Sequence, residues 1–233
     1  MPGASDLSSG ATLTGVTLDS RQVRPGDLYV GLPGQRTHGA RHAASAAAAG
    51  ALAVLTDAEG AQLAADAGIP VAVVEDPRVA MAHLAADVYG HPTGALDLFG
   101  VTGTNGKTST AFLLDAALVA LGRTVATIGT IGYRLAGAEL PGTRTTITTP
   151  ESPDLQALLA VLAERGADTV AMEVSSHALA LHRVEGIRFD AAAFTMLGQD
   201  HLEFHHTLEE YFAAKAQLFT PEHTARAVVN TAD

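Results

Sequence analysis

The sequence predicts an α/β protein of two units, each a mostly parallel sheet layered with helices. Three observations predict it. Short runs of Val, Leu and Ile alternate with longer alanine- and leucine-rich stretches, and the longer stretches stop at glycines. The segment Gly90-His91-Pro92-Thr93-Gly94 concentrates helix stops and divides that alternation in two. A strand–turn–helix signature opens the second part, with Leu96 to Val101 leading into glycine-rich residues 102–108 and Ser109 to Leu121 leading out. At 233 residues the chain can bury two modest cores, expected over 1–92 and 93–233.

Residues 1–12 are small and polar and read as loose. Pro25-Gly26-Asp27 is a turn that feeds a strand over Leu28–Leu32, closed by Pro33-Gly34. A helix is predicted over 40–50, a buried strand over Leu52–Leu55, a helix over Ala58–Ala67 and a strand over Val71–Val74. Pro77 starts a helix that runs to about Tyr89. In the second unit Gly122 caps the helix after the glycine-rich turn, and Thr124–Ile128 reads as a strand. Residues 129–149 are rich in Gly and Thr and read as hairpin or loop. Leu155, Leu158, Leu159 and Leu162 mark a helix that starts at Pro150 and stops at Gly166. Strands follow at Thr169–Met172, ending on Glu173, and at Phe189–Thr195. A helix over Leu208–Phe219 precedes a strand beginning at Ala227.

Composition narrows the function. Fourteen basic residues against 25 acidic ones give a net charge of −11, which argues against a general nucleic-acid surface. The absence of cysteine excludes disulfides and thiolate chemistry. The first residues lack the apolar core of a signal peptide, and Ala43–Ala49 is too short to span a bilayer. A soluble, cytoplasmic protein without nucleic-acid or membrane partners is expected.

The chemistry gathers at strand ends. In an open α/β sheet, ligands sit beyond the carboxyl ends of the strands. Thr102-Gly103-Thr104-Asn105-Gly106-Lys107-Thr108 follows the first strand of the second unit. Such a turn aims backbone N–H groups at phosphate, Lys107 reaches the outer phosphates and the Thr108 hydroxyl holds Mg²⁺. Its glycine spacing is shorter than that of the common P-loop, which would need glycine where Val101 stands. Glu173 ends the next strand, either as a metal carboxylate facing the phosphates or as a helix-capping group. Ser175 and His177 follow; without a nucleophile elbow around them, Ser175 reads as a ligand contact or an N-cap rather than a nucleophile. His201, His205 and His206 invite a zinc reading, but Glu203 is misplaced for the metalloprotease motif, and His201 suits the Mg²⁺ neighbourhood better. Lys215 falls within an apolar helix face formed by Leu208, Tyr211, Phe212, Leu218 and Phe219. It either snorkels to solvent or is a desolvated amine of lowered pKa, open to carbamylation by CO₂.

These residues resemble the Mur ligase family. The resemblance is carried by Thr-Leu-Asp-Ser-Arg at 17–21, Pro-Gly-Asp-Leu at 25–28, the turn at 102–108 and Thr-Thr-Pro-Glu at 148–151. Met-Glu-Val-Ser-Ser-His at 172–177, Asp-His-Leu-Glu-Phe-His at 200–205 and Tyr-Phe-Ala-Ala-Lys at 211–215 complete it, in family order. The turn alone is shared with folylpolyglutamate and cyanophycin synthetases; the Thr-Thr-Pro and Glu-Val-Ser-Ser-His motifs point to the members that add the third amino acid of the muramoyl peptide.

The resemblance implies a UDP-binding N-terminal unit and an incomplete, P-loop-like ATPase unit, acting as a monomer. Leu18 and Ser20, with Gln35, Arg36 and Thr37, would hold the UDP end of UDP-N-acetylmuramoyl-L-alanyl-D-glutamate. Thr148, Thr149, Ser175 and Arg183 would line the muramoyl-peptide site. Lys107, Thr108, Glu173 and His201 would manage ATP and Mg²⁺, and Lys215 would be carbamylated, its carbamate holding a second metal or bracing the first. The implied activity is ATP-dependent addition of a diamino acid, diaminopimelate before L-lysine, through an acyl phosphate. Met196 and Gln199 stand where the family usually has Asn and Arg, Leu181 and Ile147 replace a usual Gln and Asn, and His206 a usual Gly. The sequence stops short of the family's C-terminal amino-acid-binding domain, so the 233-residue chain alone is expected not to ligate. The alternative reading is a nucleotide-binding regulatory remnant.

Overall fold

The alternation of strands and helices is realised as two sheets in a computed structural model, which describes residues 12–34, 36–140 and 147–231. The chain divides between Gly90 and His91 into two units.

In the first unit β1 (Gly15–Thr17), β2 (Asp27–Gly31), β3 (Ala53–Thr56) and β4 (Val71–Val73) pair in that order, all parallel. Helices cover both faces, so β2 and β3 are buried along their whole length. Leu28, Val30 and Leu55 pack with Met81 and Ala85 of α3 (Pro77–Val88). The alternate residues Tyr29 and Val54 pack on the other face with Ala43 and Ala46 of α1 (Ala43–Ala48) and with Ala64, just past α2 (Ala58–Leu63). The helix expected over 40–50 is shorter than its alanine run. Its first turn, Gly39–His42, is a 3₁₀ turn capped by the His38 ring, whose Nδ1 accepts from Ala40 N–H. Asp57 and Asp76 cap α2 and α3 with their carboxylates.

The second unit contains β5 (Asp97–Thr102), α4 (Lys107–Ala120), β6 (Val125–Gly129), β7 (Gly132–Leu135), β8 (Ala138–Glu139), α5 (Ser152–Glu164) and β9 (Thr169–Glu173). It continues with α6 (Ser176–Ala180), β10 (Ala191–Phe194), α7 (Leu202–His205), α8 (Leu208–Ala216) and β11 (Ala227–Val229). The strand order is β11-β10-β5-β9-β6-β7-β8, parallel from β11 to β6. The antiparallel β7 and β8 form a hairpin within the Gly- and Thr-rich stretch. Leu155, Leu159 and Leu162 of α5 bury against Leu98, Ile128, Val170 and Met172.

Two expectations need correction. Leu208–Phe219 is not one helix: α8 ends at Ala216 and tightens into a 3₁₀ turn at Gln217–Phe219. The apolar face also differs from the one expected: Tyr211, Ala214, Lys215 and Leu218 are buried at the i, i+3, i+4, i+7 spacing of a single helix face, while Phe212, one residue off that stripe, and Leu208, in the first turn, are exposed.

Register sets the site. Val101 pairs with Glu173, Thr102 with Phe194 and Ile128 with Met172. The ends of β5, β6, β9 and β10 therefore lie along one edge. The chain leaves β5 towards β6 on one side and leaves β10 towards β11 on the other. The topological switch thus falls beside β5, where the glycine-rich turn at 102–108 begins.

Candidate functional site

The turn at 102–108 is built to present N–H groups. Gly103 has φ +142°, and a side chain there would meet the Thr195 hydroxyl, so only glycine fits. The Thr195 hydroxyl lies 2.6 Å from the Asn105 carbonyl and 3.2 Å from that of Thr102, pinning the turn to the end of β10. Thr104 N–H is spent on the Met196 carbonyl at 2.9 Å. Among the described residues, no hydrogen bond claims the N–H groups of Asn105, Gly106, Lys107 or Thr108. They open α4, whose N-terminal partial charge adds to theirs. The Lys107 amine folds back onto the carbonyls of Gly103 (2.8 Å) and Thr104 (2.9 Å), and burial lowers its pKa against the pull of Glu173 and Asp200.

Glu173 is 2% exposed. A bare carboxylate there is costly unless hydrogen-bonded, and it accepts three bonds. The Thr108 hydroxyl donates at 2.9 Å, Thr130 N–H at 3.0 Å and the Thr130 hydroxyl at 3.1 Å. The strand ends admit the carboxylate because residue 129 is glycine; a Cβ would sit 2.1 Å from Glu173 Oε1. The donor set around Thr108 and Glu173 is all hard oxygen, which suits Mg²⁺ and leaves most of its shell to water and phosphate.

Lys215 is 1% exposed and donates to the Gly103 carbonyl at 3.0 Å, with its ammonium 4.4 Å from the Tyr211 ring centre. Burial first, and then the charge of Lys107, bring its pKa down to about 7, opposed by Asp200.

The muramoyl-peptide candidates form a second cluster on the same edge. Thr149 is buried; its hydroxyl donates to the Glu173 carbonyl (3.0 Å) and accepts from Ser175 N–H (3.1 Å). Thr148 Oγ1 lies 3.2 Å from Thr130 Oγ1. The Ser175 hydroxyl caps α6 through Ala178 N–H. Arg183 forms an ion pair with Glu151 at 2.8 Å and donates to the Thr149 carbonyl at 3.2 Å, clamping the Thr-Thr-Pro-Glu segment.

His201 adopts φ +53° and is half-exposed. Its ring meets His177 (4.7 Å between centroids) and Tyr211 (6.2 Å), and it pairs with Asp200 and Glu203 at 3.5 and 3.6 Å. Among the described residues no ion pair joins it to Glu173. His205 is buried with Nε2 2.9 Å from the Ser176 hydroxyl, and burial lowers the pKa of both His205 and His177. Among the described residues no group of three or more His, Cys, Asp or Glu could hold a metal ion.

The UDP candidates separate. Leu18 and Ser20 line a pocket of about 850 Å³ with Asp19, Tyr29 and His42. Arg36 and Thr37 line another, of about 340 Å³, with His38, Arg41 and Glu59. The 3₁₀ turn at Gly39–His42 contributes to both. Gln35 lies outside the described residues.

Sequence reasoning missed Thr130, Thr195 and Tyr211 as polar members of the site. Thr130 stands just past β6, so reading the end of every strand would have found it. Met196, an unexpected residue in the motif, serves Thr104 through its carbonyl, a contact any side chain permits.

A strand-end glycine-rich turn with a buried carboxylate and a buried lysine beside it places the chain among open α/β folds whose polar groups gather at the carboxyl edge of a parallel sheet. The chain belongs to the Mur ligase family: the Mur ligase middle domain matches residues 101–233, and the Mur ligase family catalytic domain matches 12–89. It is 53% identical over 231 residues to a UDP-N-acetylmuramoyl-L-alanyl-D-glutamate–2,6-diaminopimelate ligase of Streptomyces avermitilis, covering 99% of this chain and 45% of that one. A Corynebacterium glutamicum ligase of the same name is 48% identical over 210 residues, 89% of this chain and 40% of its own. A solved structure of a ligase of that name matches with TM-score 0.77 and 32% identity, over 94% of this chain and 43% of that one. The chain thus spans less than half the length of these relatives. A MurF ligase from Thermotoga maritima shares the fold at TM-score 0.61 and 23% identity, over 94% of this chain and 46% of that one. No described helix is long and apolar enough to cross a membrane.

Proposed function

We propose that the chain is the nucleotide-binding and acceptor-activating part of an ATP-dependent amide ligase of peptidoglycan precursor synthesis. The observation that carries this is the Thr108–Glu173 contact at the mouth of a turn with four unclaimed N–H groups. The acceptor is UDP-N-acetylmuramoyl-L-alanyl-D-glutamate and the donor diaminopimelate, as in the names of the relatives.

In the reaction, a carboxylate oxygen of the D-glutamyl residue attacks the γ-phosphorus of ATP and ADP leaves. The neutral donor amine then attacks the acyl carbon, phosphate leaves as the acyl–oxygen bond breaks, and the nitrogen gives up one proton, keeping the other as the amide N–H. The N–H groups of 105–108 bind the phosphates and compensate charge as it shifts. Lys107 leaves its own carbonyls for the outer phosphates. Thr108 and Glu173, with His201, would hold Mg²⁺, which would supply further charge neutralisation when bound. Thr148, Thr149, Ser175 and Arg183 orient the peptide carboxylate. With a pKa near 7, the Lys215 amine is partly neutral and adds to CO₂ with release of a proton, giving a carbamate beside the turn. Leu18, Ser20, Arg36 and Thr37 hold the UDP end.

Calorimetric titration with ADP and Mg²⁺ tests the reading. Wild-type chain binds, and Lys107→Ala loses about tenfold to a hundredfold in affinity, the worth of a charge-assisted hydrogen bond. A wild-type chain that binds no ADP, or a variant that binds equally well, contradicts it.

A further inference from the structure

Tyr211 joins the helix that carries Lys215 to the turn that carries the phosphate groups. It is 1% exposed, and a buried phenol is costly unless its hydroxyl finds a partner. That partner is Thr104 Oγ1 at 3.2 Å, 107 residues away in sequence. A threonine hydroxyl has one proton to give and two lone pairs to share. Thr104 gives its proton to the Gly198 carbonyl (3.2 Å) and accepts from Gly198 N–H (2.8 Å) and from Tyr211. Every valence is used, and the Tyr211 bond is the one that reaches α8. The opposite grip is the ring face: Lys215 Nζ stands 4.4 Å from its centre and donates to the carbonyl of Gly103. One side chain thus fixes two consecutive residues of the turn, immediately before its four unclaimed N–H groups.

We propose that Tyr211 is a positioning residue for nucleotide binding, setting the Gly103–Thr104 segment through its hydroxyl and through Lys215. This rests on the nucleotide reading above. Phenylalanine would fill the same volume and support Lys215 equally, so the hydroxyl is what separates positioning from packing.

The test is a double-mutant cycle on the 233-residue chain, read as ADP affinity with Mg²⁺, together with amide hydrogen exchange of residues 103–106 without nucleotide. Tyr211→Phe weakens ADP about fivefold to tenfold, the range of one neutral hydrogen bond. Tyr211→Phe combined with Thr104→Val binds no worse than Thr104→Val alone, and Thr104→Ser, which keeps the hydroxyl, restores near wild-type affinity. Exchange at Thr104 N–H quickens severalfold in Tyr211→Phe. Additive losses in the cycle, or wild-type affinity with unchanged exchange in Tyr211→Phe, overturn the proposal. If wild-type chain binds no ADP, the nucleotide reading fails separately; the exchange result then decides alone whether Tyr211 holds the turn.

Discussion

The two units prepare for ligands in opposite ways. In the second, the polar groups are buried and spoken for: Glu173 accepts three bonds, Thr104 uses its whole hydroxyl, and the Gly103 carbonyl takes two lysine amines. In the first, Leu18 and Ser20 are only half-buried and the remaining described candidates stand in water. Arg36, Thr37, Arg41 and His42 are exposed, and Arg21 is 86% exposed with an ion pair to its neighbour Asp19. The polar groups of the second unit's edge are held by hydrogen bonds within the chain; the exposed side chains of the first would bear the entropy cost of ordering on any ligand they bind. Mutations should therefore cost stability at the first kind of site and affinity alone at the second.

The largest effect is expected at Glu173. Glu173→Ala strands Thr130 N–H and the hydroxyls of Thr108 and Thr130, and should lower unfolding stability by about 1–3 kcal/mol in denaturant titrations. An unchanged midpoint would show that the edge is not pre-organised. Arg36→Ala, by contrast, should leave stability within about 0.5 kcal/mol of wild type. It should weaken UDP about tenfold if the 340 Å³ pocket takes the diphosphate. Ser20→Ala, in the 850 Å³ pocket, should cost less than Arg36→Ala. The reverse order would move the diphosphate to the pocket of Leu18 and Ser20.

A smaller, pH-dependent effect tests pre-organisation away from the edge. Glu185 lies 3.0 Å from His182 and 3.5 Å from the buried His223. The hydrogen bond from His223 is the main reason its pKa falls from 4.5 to about 2, and the same bond raises the His223 pKa above 6.5. A lowered carboxylate stabilises above 4.5 and loses that contribution as pH falls towards 2. A raised histidine stabilises below 6.5 and loses its contribution as pH rises through its folded value. The pair should contribute most between pH 4.5 and 6.5, on the order of 1 kcal/mol. Thermal melts of wild type against Glu185→Gln should diverge most there and converge at high pH; a constant gap would refute the linkage.

The same contrast explains what the sequence could reveal. The turn was legible because a tight strand-to-helix turn needs glycine at the positive-φ positions 103 and 106 and follows an apolar strand. The parallel sheets were legible because strands buried on both faces read as apolar runs, as in Val54-Leu55 and Val170-Ala171-Met172. Residue 130 was hidden inside a stretch readable only as hairpin or loop, and Tyr211 looked apolar because its hydroxyl partner is remote in sequence. The extent of α1 was obscured because an alanine run carries no periodicity and its cap is a histidine ring. The N-terminal pockets left little signal, since exposed side chains on turns obey no spacing. Leu18 and Arg36 looked like partners until the fold placed them in separate cavities.

The central claim is that Thr108 and Glu173 form a magnesium–phosphate edge, organised in advance. Its most direct test is ATP affinity measured with and without Mg²⁺ in wild type and in Thr108→Val, which keeps the shape and removes the hydroxyl. The account predicts that Mg²⁺ tightens ATP binding to wild type, and that the variant loses this gain while its Mg²⁺-free affinity is unchanged. An equal Mg²⁺ gain in both proteins would contradict it.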